Sequence, residues 1–395
     1  MRPSDLYPAA TPAEMGLRPQ ALDNACAYIE NEIAAGSVPG AALVVVRHER
    51  TVLERAWGTY CDGQTRHRPY HLETTNLFYS FSKPISATVV ALAVERRLVG
   101  WDDPVARHVP AFAQGGKEAI TIRHLLTHSA GIPSVPLQEA LTDHGWDACV
   151  QACCQHPLEW PVGSRSAYHG LSGLLMAAEC VRRAAGNATW DELARAWLFD
   201  PLGAESLSFA RPRGDAPVAL TPQPETLPTA LEPAPYHLMG HPAGGCMGLL
   251  VDIHRFLWLH LNDGLANGAR LLQAETVHEM RRLQHAAAIQ AARAAGREPG
   301  HEPWGLGWLL RDEMGPHWFG FGQLTAPDTF GHAGIDTVLT AAEPRARLTI
   351  SFLTTDSQKD PDQVTRIRNG VTDRVMQAVA SRASIPTHRN PPHPM

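Results

Sequence analysis

Strand-forming runs sit near the two ends of this chain and are scarce between them, which constrains the fold more than any other feature. GAALVVVRHE (Gly40 to Glu49) and RTVLERAWGTY (Arg50 to Tyr60) are rich in β-branched and aromatic residues and meet at a polar turn, so they predict a hairpin. TVLTAAEPRARLTISFLTT (Thr337 to Thr355) repeats the pattern, with its turn around Pro344. Apolar residues at helical spacing precede the first hairpin over Pro19 to Ala35 and follow the second over Gln363 to Ala380. Between them, Ile85 to Arg97, Ile122 to Thr127, Leu171 to Ala185, Trp190 to Leu198, Leu249 to Asn262 and Glu275 to Ala295 read as helical. This order predicts an α+β fold: an antiparallel sheet built from both chain ends, flanked by helices, with a mostly helical lobe inserted and a cleft along the seam. The expected division places residues 1–75 and 300–383 in the sheet lobe and 76–299 in the helical lobe. Arg211 to Ala243 holds eight prolines and little periodicity, and is expected to be a functional loop or lid. The tail SIPTHRNPPHPM, residues 384–395, offers little to bury and is expected to be disordered.

Composition excludes several classes. At 395 residues the chain can build more than one packed unit, and its 44% apolar and 19% charged content suits a globular protein. A net charge of −6, without runs of one sign, argues against nucleic acid as a partner. The longest apolar runs, Ala41 to Val46 and Ile85 to Val94, are too short to span a bilayer, so no membrane partner is expected. MRPSDLYPAATPAEMG has no apolar export core, which gives a cytoplasmic expectation. The seven cysteines, Cys26, Cys61, Cys149, Cys153, Cys154, Cys180 and Cys246, form no CxxC pair and are expected as reduced thiols. Twenty histidines include no HExxH and no zinc-type pairing, so neither metal nor cofactor is expected.

The chemistry concentrates first in FYSFSKPISA (Phe78 to Ala87). In a helix starting near Ser80, Ser80 and Lys83 share a face, and Pro84 falls in the first turn, where no N–H is needed. The helix N-terminus favours an anionic intermediate at Ser80. A partly desolvated Lys83 would disfavour its ammonium and could act as a base. An S-x-x-K string alone is common. Two further elements follow it: Tyr168, just before an apolar helix in WPVGSRSAYHGLSGLLMAAECV, and FGHAGIDTVLTAA, where Gly331-His332-Ala333-Gly334 opens a strand. The flanking glycines would let a substrate lie close to that strand.

Serine, lysine, tyrosine and a glycine-flanked strand, in this order, resemble the three motifs of active-site-serine β-lactamases and penicillin-binding proteins. SFSKPISA, IRHLLTHSAGIP, AGGCMGLLVDIHRFLWLHLNDG, WGLGW and GHAG extend the resemblance over about Ala13 to Asp356. The chain is most similar to the class C β-lactamase and family VIII carboxylesterase branch, which implies a β-lactamase/transpeptidase-like fold. The resemblance implies Ser80 as the acylated nucleophile, Lys83 as its partner, Tyr168 as proton relay, and an oxyanion hole from the N–H groups of Ser80 and Ile335. It also makes the LLTHSAG segment a fold signature, with His128 structural rather than catalytic. Ser82 lacks a lysine three residues on and reads as a structural hydroxyl. The tryptophans of WGLGW read as packing near the cleft.

Two positions depart from the family pattern. Gly170 stands where the tyrosine motif usually has asparagine, and His332 where β-lactamases usually have lysine. A fixed cation for a substrate carboxylate is thereby lost or made pH-dependent. These departures favour a serine esterase working through an acyl-enzyme on a small-molecule ester. An amide or peptide hydrolase, an acyltransferase and a catalytically silent binding homologue are the alternatives.

Overall fold

The computed structural model describes residues 1–61, 67–134, 145–209, 218–219, 240–313, 320–334, 338–355 and 360–379. Most of the proline-rich 211–243 stretch, the tail from residue 380 and Ile335 lie outside these residues.

The central sheet has seven strands: β1 (Gly40–Arg47), β2 (Arg50–Cys61), β3 (His67–Pro69), β4 (Leu309–Leu310), β5 (Phe330–Gly334), β6 (Val338–Glu343) and β7 (Leu348–Thr354). Their order is β3-β2-β1-β7-β6-β5-β4, and every pairing is antiparallel. The two predicted hairpins join along β1 and β7, where Ala42 pairs with Leu353 and Val44 with Ser351. Both faces of β1 are covered, which is why AALVVV shows no polar alternation. Ala41, Leu43 and Val45 pack with the outer helices, while Ala42, Val44 and Val46 join the main core.

Among the described residues, five helices have twelve residues or more: α1 (Pro19–Ala34), α2 (Ser82–Glu95), α3 (Ser172–Ala184), α4 (Leu250–Leu261) and α5 (Pro361–Ala378). Leu22, Ala25 and Ile29 of α1 and Ile367, Val371 and Val375 of α5 cover one face of the sheet. Helix α2 is buried from Ser82 to Ala93, and its buried polar side chains are hydrogen-bonded, Ser86 Oγ to the Pro242 carbonyl and Thr88 Oγ1 to the Pro84 carbonyl. Burial of Val89, Val90 and Leu92 contributes roughly 1.5–3 kcal/mol each.

Two departures from the sequence reading have physical causes. The helix expected over Glu275–Ala295 is broken into Ala274–Arg281 and Ala286–Ala294. Between them Arg282 is extended, and the Gln284 N–H donates to the Trp304 carbonyl at 2.9 Å, tying the chain to the wall of the cleft. The helix Gly145–Gln155, which buries Cys149, Val150, Cys153 and Cys154, was not anticipated; its apolar face is made largely of cysteines.

Candidate active site

The site is assembled where the chain enters α2. A 3₁₀ turn over Tyr79–Phe81 leads directly into the helix at Ser82, a detail beyond the simple helix start expected near Ser80. Tyr79 has φ 46°, a left-handed conformation uncommon for an aromatic residue. The buried Phe78 and Phe81 hold the turn from both sides, and the Phe78 N–H donates to the Cys246 carbonyl at 2.9 Å. Ser80, in the 3₁₀ turn, and Lys83, in the first turn of the helix, lie one turn apart, so their side chains face the same way.

Lys83 Nζ donates to Ser80 Oγ at 2.9 Å and to the Ala243 carbonyl at 3.0 Å. Burial pushes the Lys83 amine well below the ordinary lysine range. In the neutral amine, the Ala243 carbonyl takes one N–H and the lone pair is available to the Ser80 hydroxyl. Ser82, by contrast, is fully buried and its Oγ accepts the Cys246 N–H at 2.9 Å.

Tyr168 closes the other side of the serine. Its ring centre lies 4.7 Å from Lys83 Nζ. Burial raises its phenol above the ordinary tyrosine value; a hydrogen bond with Ser80 opposes the rise and the Glu302 charge adds to it. The phenol therefore keeps its proton over the working range of most hydrolases. Trp304, fully buried, stacks on Tyr168 at 5.9 Å and 14°, and its Nε1 donates to Glu302 Oε2 at 2.7 Å. Trp308 of the same WGLGW segment packs deeper, against Phe256 and Phe330.

Strand β5 forms the third wall. His332 is fully buried and its Nδ1 donates to the Ala333 carbonyl at 2.6 Å, which leaves the neutral ring's Nε2 without a proton. Burial, then the Lys83 charge, lower its pKa to about 3. The ring is neutral at physiological pH rather than poised to switch. The glycines beside it serve packing within the protein: a Cβ on Gly331 would meet the Thr340 carbonyl at 2.2 Å, and one on Gly334 the Phe78 carbonyl at 2.6 Å. Gly170 donates its N–H to Ser134 Oγ at 3.1 Å, and a Cβ there would lie 2.9 Å from that oxygen.

Ser80, Lys83, Tyr168 and His332 thus come together, and Gly334 abuts the turn that carries Ser80. Ile335 lies outside the described residues. The sequence did not point to the Ala243 carbonyl or to His241, whose pKa is lowered to about 3 by burial and then by Lys83. Both reach Lys83 from far along the chain, and a backbone carbonyl leaves no residue signature. Among the described residues, no group of three or more His, Cys, Asp or Glu side chains could hold a metal ion, and no helix is long and apolar enough to cross a membrane.

Residues 26–371 match the family model described as Beta-lactamase. The chain belongs to the beta-lactamase family. A Salmonella agona (strain SL483) protein named "Putative D-alanyl-D-alanine carboxypeptidase" is 24% identical over 387 residues, covering 87% of this chain and 84% of that protein. A family VIII carboxylesterase structure shares the fold at TM-score 0.72 and 22% identity, covering 91% of this chain and 99% of that one. EstCE1, a hydrolase with promiscuous acyltransferase activity, superposes at TM-score 0.71 and 20% identity, covering 90% and 99%. A penicillin-binding protein homologue from Caulobacter crescentus gives TM-score 0.70 and 21% identity, covering 91% and 99%. At these identities the structural likeness establishes the fold of this chain.

Proposed function

We propose that this protein is a serine hydrolase that cleaves carboxylic esters through an acyl-enzyme on Ser80. Ser80 Oγ attacks the ester carbonyl carbon, and its proton passes to the Lys83 and Tyr168 pair. The tetrahedral intermediate collapses by breaking the bond to the alcohol oxygen, which leaves with a proton relayed by Tyr168. Water then attacks the acyl carbon, a carboxylic acid departs, and the proton returns to Ser80. Lys83 at 2.9 Å from Ser80 Oγ, with its ammonium disfavoured by burial, supports the acylation step.

The observation that carries the choice of esters is His332. A neutral ring whose Nδ1 is committed to the Ala333 carbonyl offers no cation to a substrate carboxylate. Gly170 likewise brings no side-chain amide to an acylamido group. Each missing polar or charged contact is worth roughly 1.5–3 kcal/mol, or about ten- to a hundredfold in rate. Esters need neither anchor, and their alcohol leaving groups depend less on a proton donor than amines do.

A panel of p-nitrophenyl esters, nitrocefin and D-amino acid anilides tests the reading. Short-chain esters should show kcat/KM values at least about a hundredfold above nitrocefin. An anilide or β-lactam turned over as well as the best ester would replace the esterase reading with an amide-directed one.

A further inference from the structure

Tyr168 is held on both sides by one residue. The N–H of Ala167, just before it, donates to the His128 carbonyl at 2.9 Å, and the N–H of His169, just after it, donates to His128 Nδ1 at 3.1 Å. The His128 ring also packs on the Tyr168 ring at 4.9 Å between centres, and stands edge-on to Trp304 at 4.4 Å and 62°. His128 itself has φ 54°, the left-handed conformation that lets its carbonyl and its ring reach the same segment. With Nδ1 accepting, the neutral ring carries its proton on Nε2, which is buried without a hydrogen-bond partner among the described residues. The ring is 1% exposed, and charge there is opposed by burial and by the neighbouring His169, Lys83 and His332.

We infer that His128 is the positioning residue for Tyr168, acting as an uncharged hydrogen-bond acceptor that fixes the phenol against Ser80. The inference rests on the reading of Tyr168 as the group that transfers protons. It goes beyond a packing role, because packing alone requires neither an acceptor at Nδ1 nor a carbonyl turned toward Ala167. The side chain needs an acceptor one bond beyond Cγ and a backbone tolerant of positive φ. Asparagine meets both conditions, since its Oδ1 overlays Nδ1 and it is the residue after glycine most at ease in this conformation. Glutamine does not meet the first: its Oε1 overlays Nε2 instead.

The test is a double-mutant cycle with Tyr168→Phe, read by ester kcat, KM and thermal melting of the full chain. His128→Gln should lower kcat by about 10- to 100-fold with KM changed less than about threefold, since a misplacement of about 1 Å can cost on the order of 10² in rate. His128→Asn should stay within about fivefold of wild type. In the Tyr168→Phe background, where the phenol is already gone, His128→Gln should cost less than about threefold more. Equal losses in the two backgrounds, or equal kcat for the Asn and Gln variants, would overturn the inference. If the Gln variant does not melt cooperatively, the Asn variant decides alone, and a kcat loss above about tenfold is the overturning result. Unchanged kcat in Tyr168→Phe itself would instead remove the role of Tyr168 on which the inference stands.

Discussion

Lys83 meets Ser80 from the interior of the protein, with Nζ 2.9 Å from Oγ and the Ala243 carbonyl 3.0 Å away on its other side. An ammonium there has lost its water and gained one hydroxyl, one carbonyl and a tyrosine face at 4.7 Å. These neutral partners compensate less than water does, so the neutral amine is favoured. The amine that burial makes costly to charge is the one placed to take the serine proton.

Removal of Ser80 checks the nucleophile. Ser80→Ala should lower ester turnover on the order of 10³-fold or more. A phosphonate probe should add one equivalent to the wild-type chain, on the peptide that contains Ser80. Ser82 should stay unlabelled, because its buried Oγ is occupied by the Cys246 N–H. Label on Ser82 would remove the assignment.

The pH profile reads Lys83. In the proposed mechanism the active form has a neutral amine, so kcat/KM should rise as pH rises through the Lys83 pKa and then level off. Burial places that midpoint well below the ordinary lysine value. Tyr168 is shifted up and stays protonated, while His332 and His241, near 3, add no inflection close to 6.5. A titration of kcat/KM from pH 5 to 10 decides it. A profile still rising steeply at pH 10, toward the ordinary lysine value, contradicts this assignment.

Much of the site was legible because its chemistry is local. Ser80 and Lys83 are three apart on one turn, and Tyr168 and His332 each sit in a short string with a recognisable neighbourhood. The sheet was legible because β1 is apolar on both faces and β7 carries Leu348, Ile350 and Phe352 at alternate positions. What escaped comes from far along the chain or from the backbone. The Ala243 carbonyl, the left-handed Tyr79 and the break at Arg282 are products of packing that no local period reports. His128 was read as structural because its string marks the fold. Its relation to Tyr168 appears only when residues 128 and 167–169 are seen hydrogen-bonded.

Buried histidines should make the protein acid-labile. His241, His254, His260 and His332 are fully buried, with pKa values lowered by burial to about 3. The unfolded chain binds protons at these rings near pH 6.5 and the folded chain does not, so stability present above 6.5 is lost as pH falls toward 3. Two pH units below 6.5, each ring would cost about 2.7 kcal/mol, and four together rival the roughly 5–15 kcal/mol of a typical fold. Circular-dichroism melts from pH 7.5 to 4.5 should show a steep fall in Tm. His260→Leu should flatten that slope, since it removes one titrating ring remote from Ser80. A Tm constant across the range defeats the expectation.

The proposed preference for esters should shift on substitution at two positions. His332→Lys would place a much stronger base than imidazole where the neutral ring stands, and Gly170→Asn would add the amide. The asparagine Cβ would stand 2.9 Å from Ser134 Oγ, so that hydroxyl must rotate and give up the Gly170 N–H. The expected result is a smaller ratio of ester to nitrocefin kcat/KM in the double variant than in wild type, with His332→Lys contributing more. An unchanged ratio in a folded double variant would show that the discrimination lies elsewhere.

The tightest test of the architecture is Gly334. An alanine Cβ at this position would lie 2.6 Å from the Phe78 carbonyl, 3.1 Å from Tyr79 Cβ and 3.1 Å from Val338 Cβ. Two of these neighbours are on the left-handed turn that presents Ser80, and the third is its own register partner in β6. The neighbouring strand is fixed by its ladder, so the turn is the part that must yield. Overpacking of this kind costs about 1–3 kcal/mol, which would lower Tm by a few degrees. Displacing Ser80 by a fraction of an ångström from Lys83 and Tyr168 should cost more in chemistry, about 10- to 100-fold in kcat. Gly300→Ala serves as the control, because its nearest neighbour would be Arg165 Cβ at 3.8 Å, an ordinary contact, and neither Tm nor kcat should move. Measured side by side, a Gly334→Ala variant with wild-type kcat would mean that β5 does not hold the Ser80 turn in place.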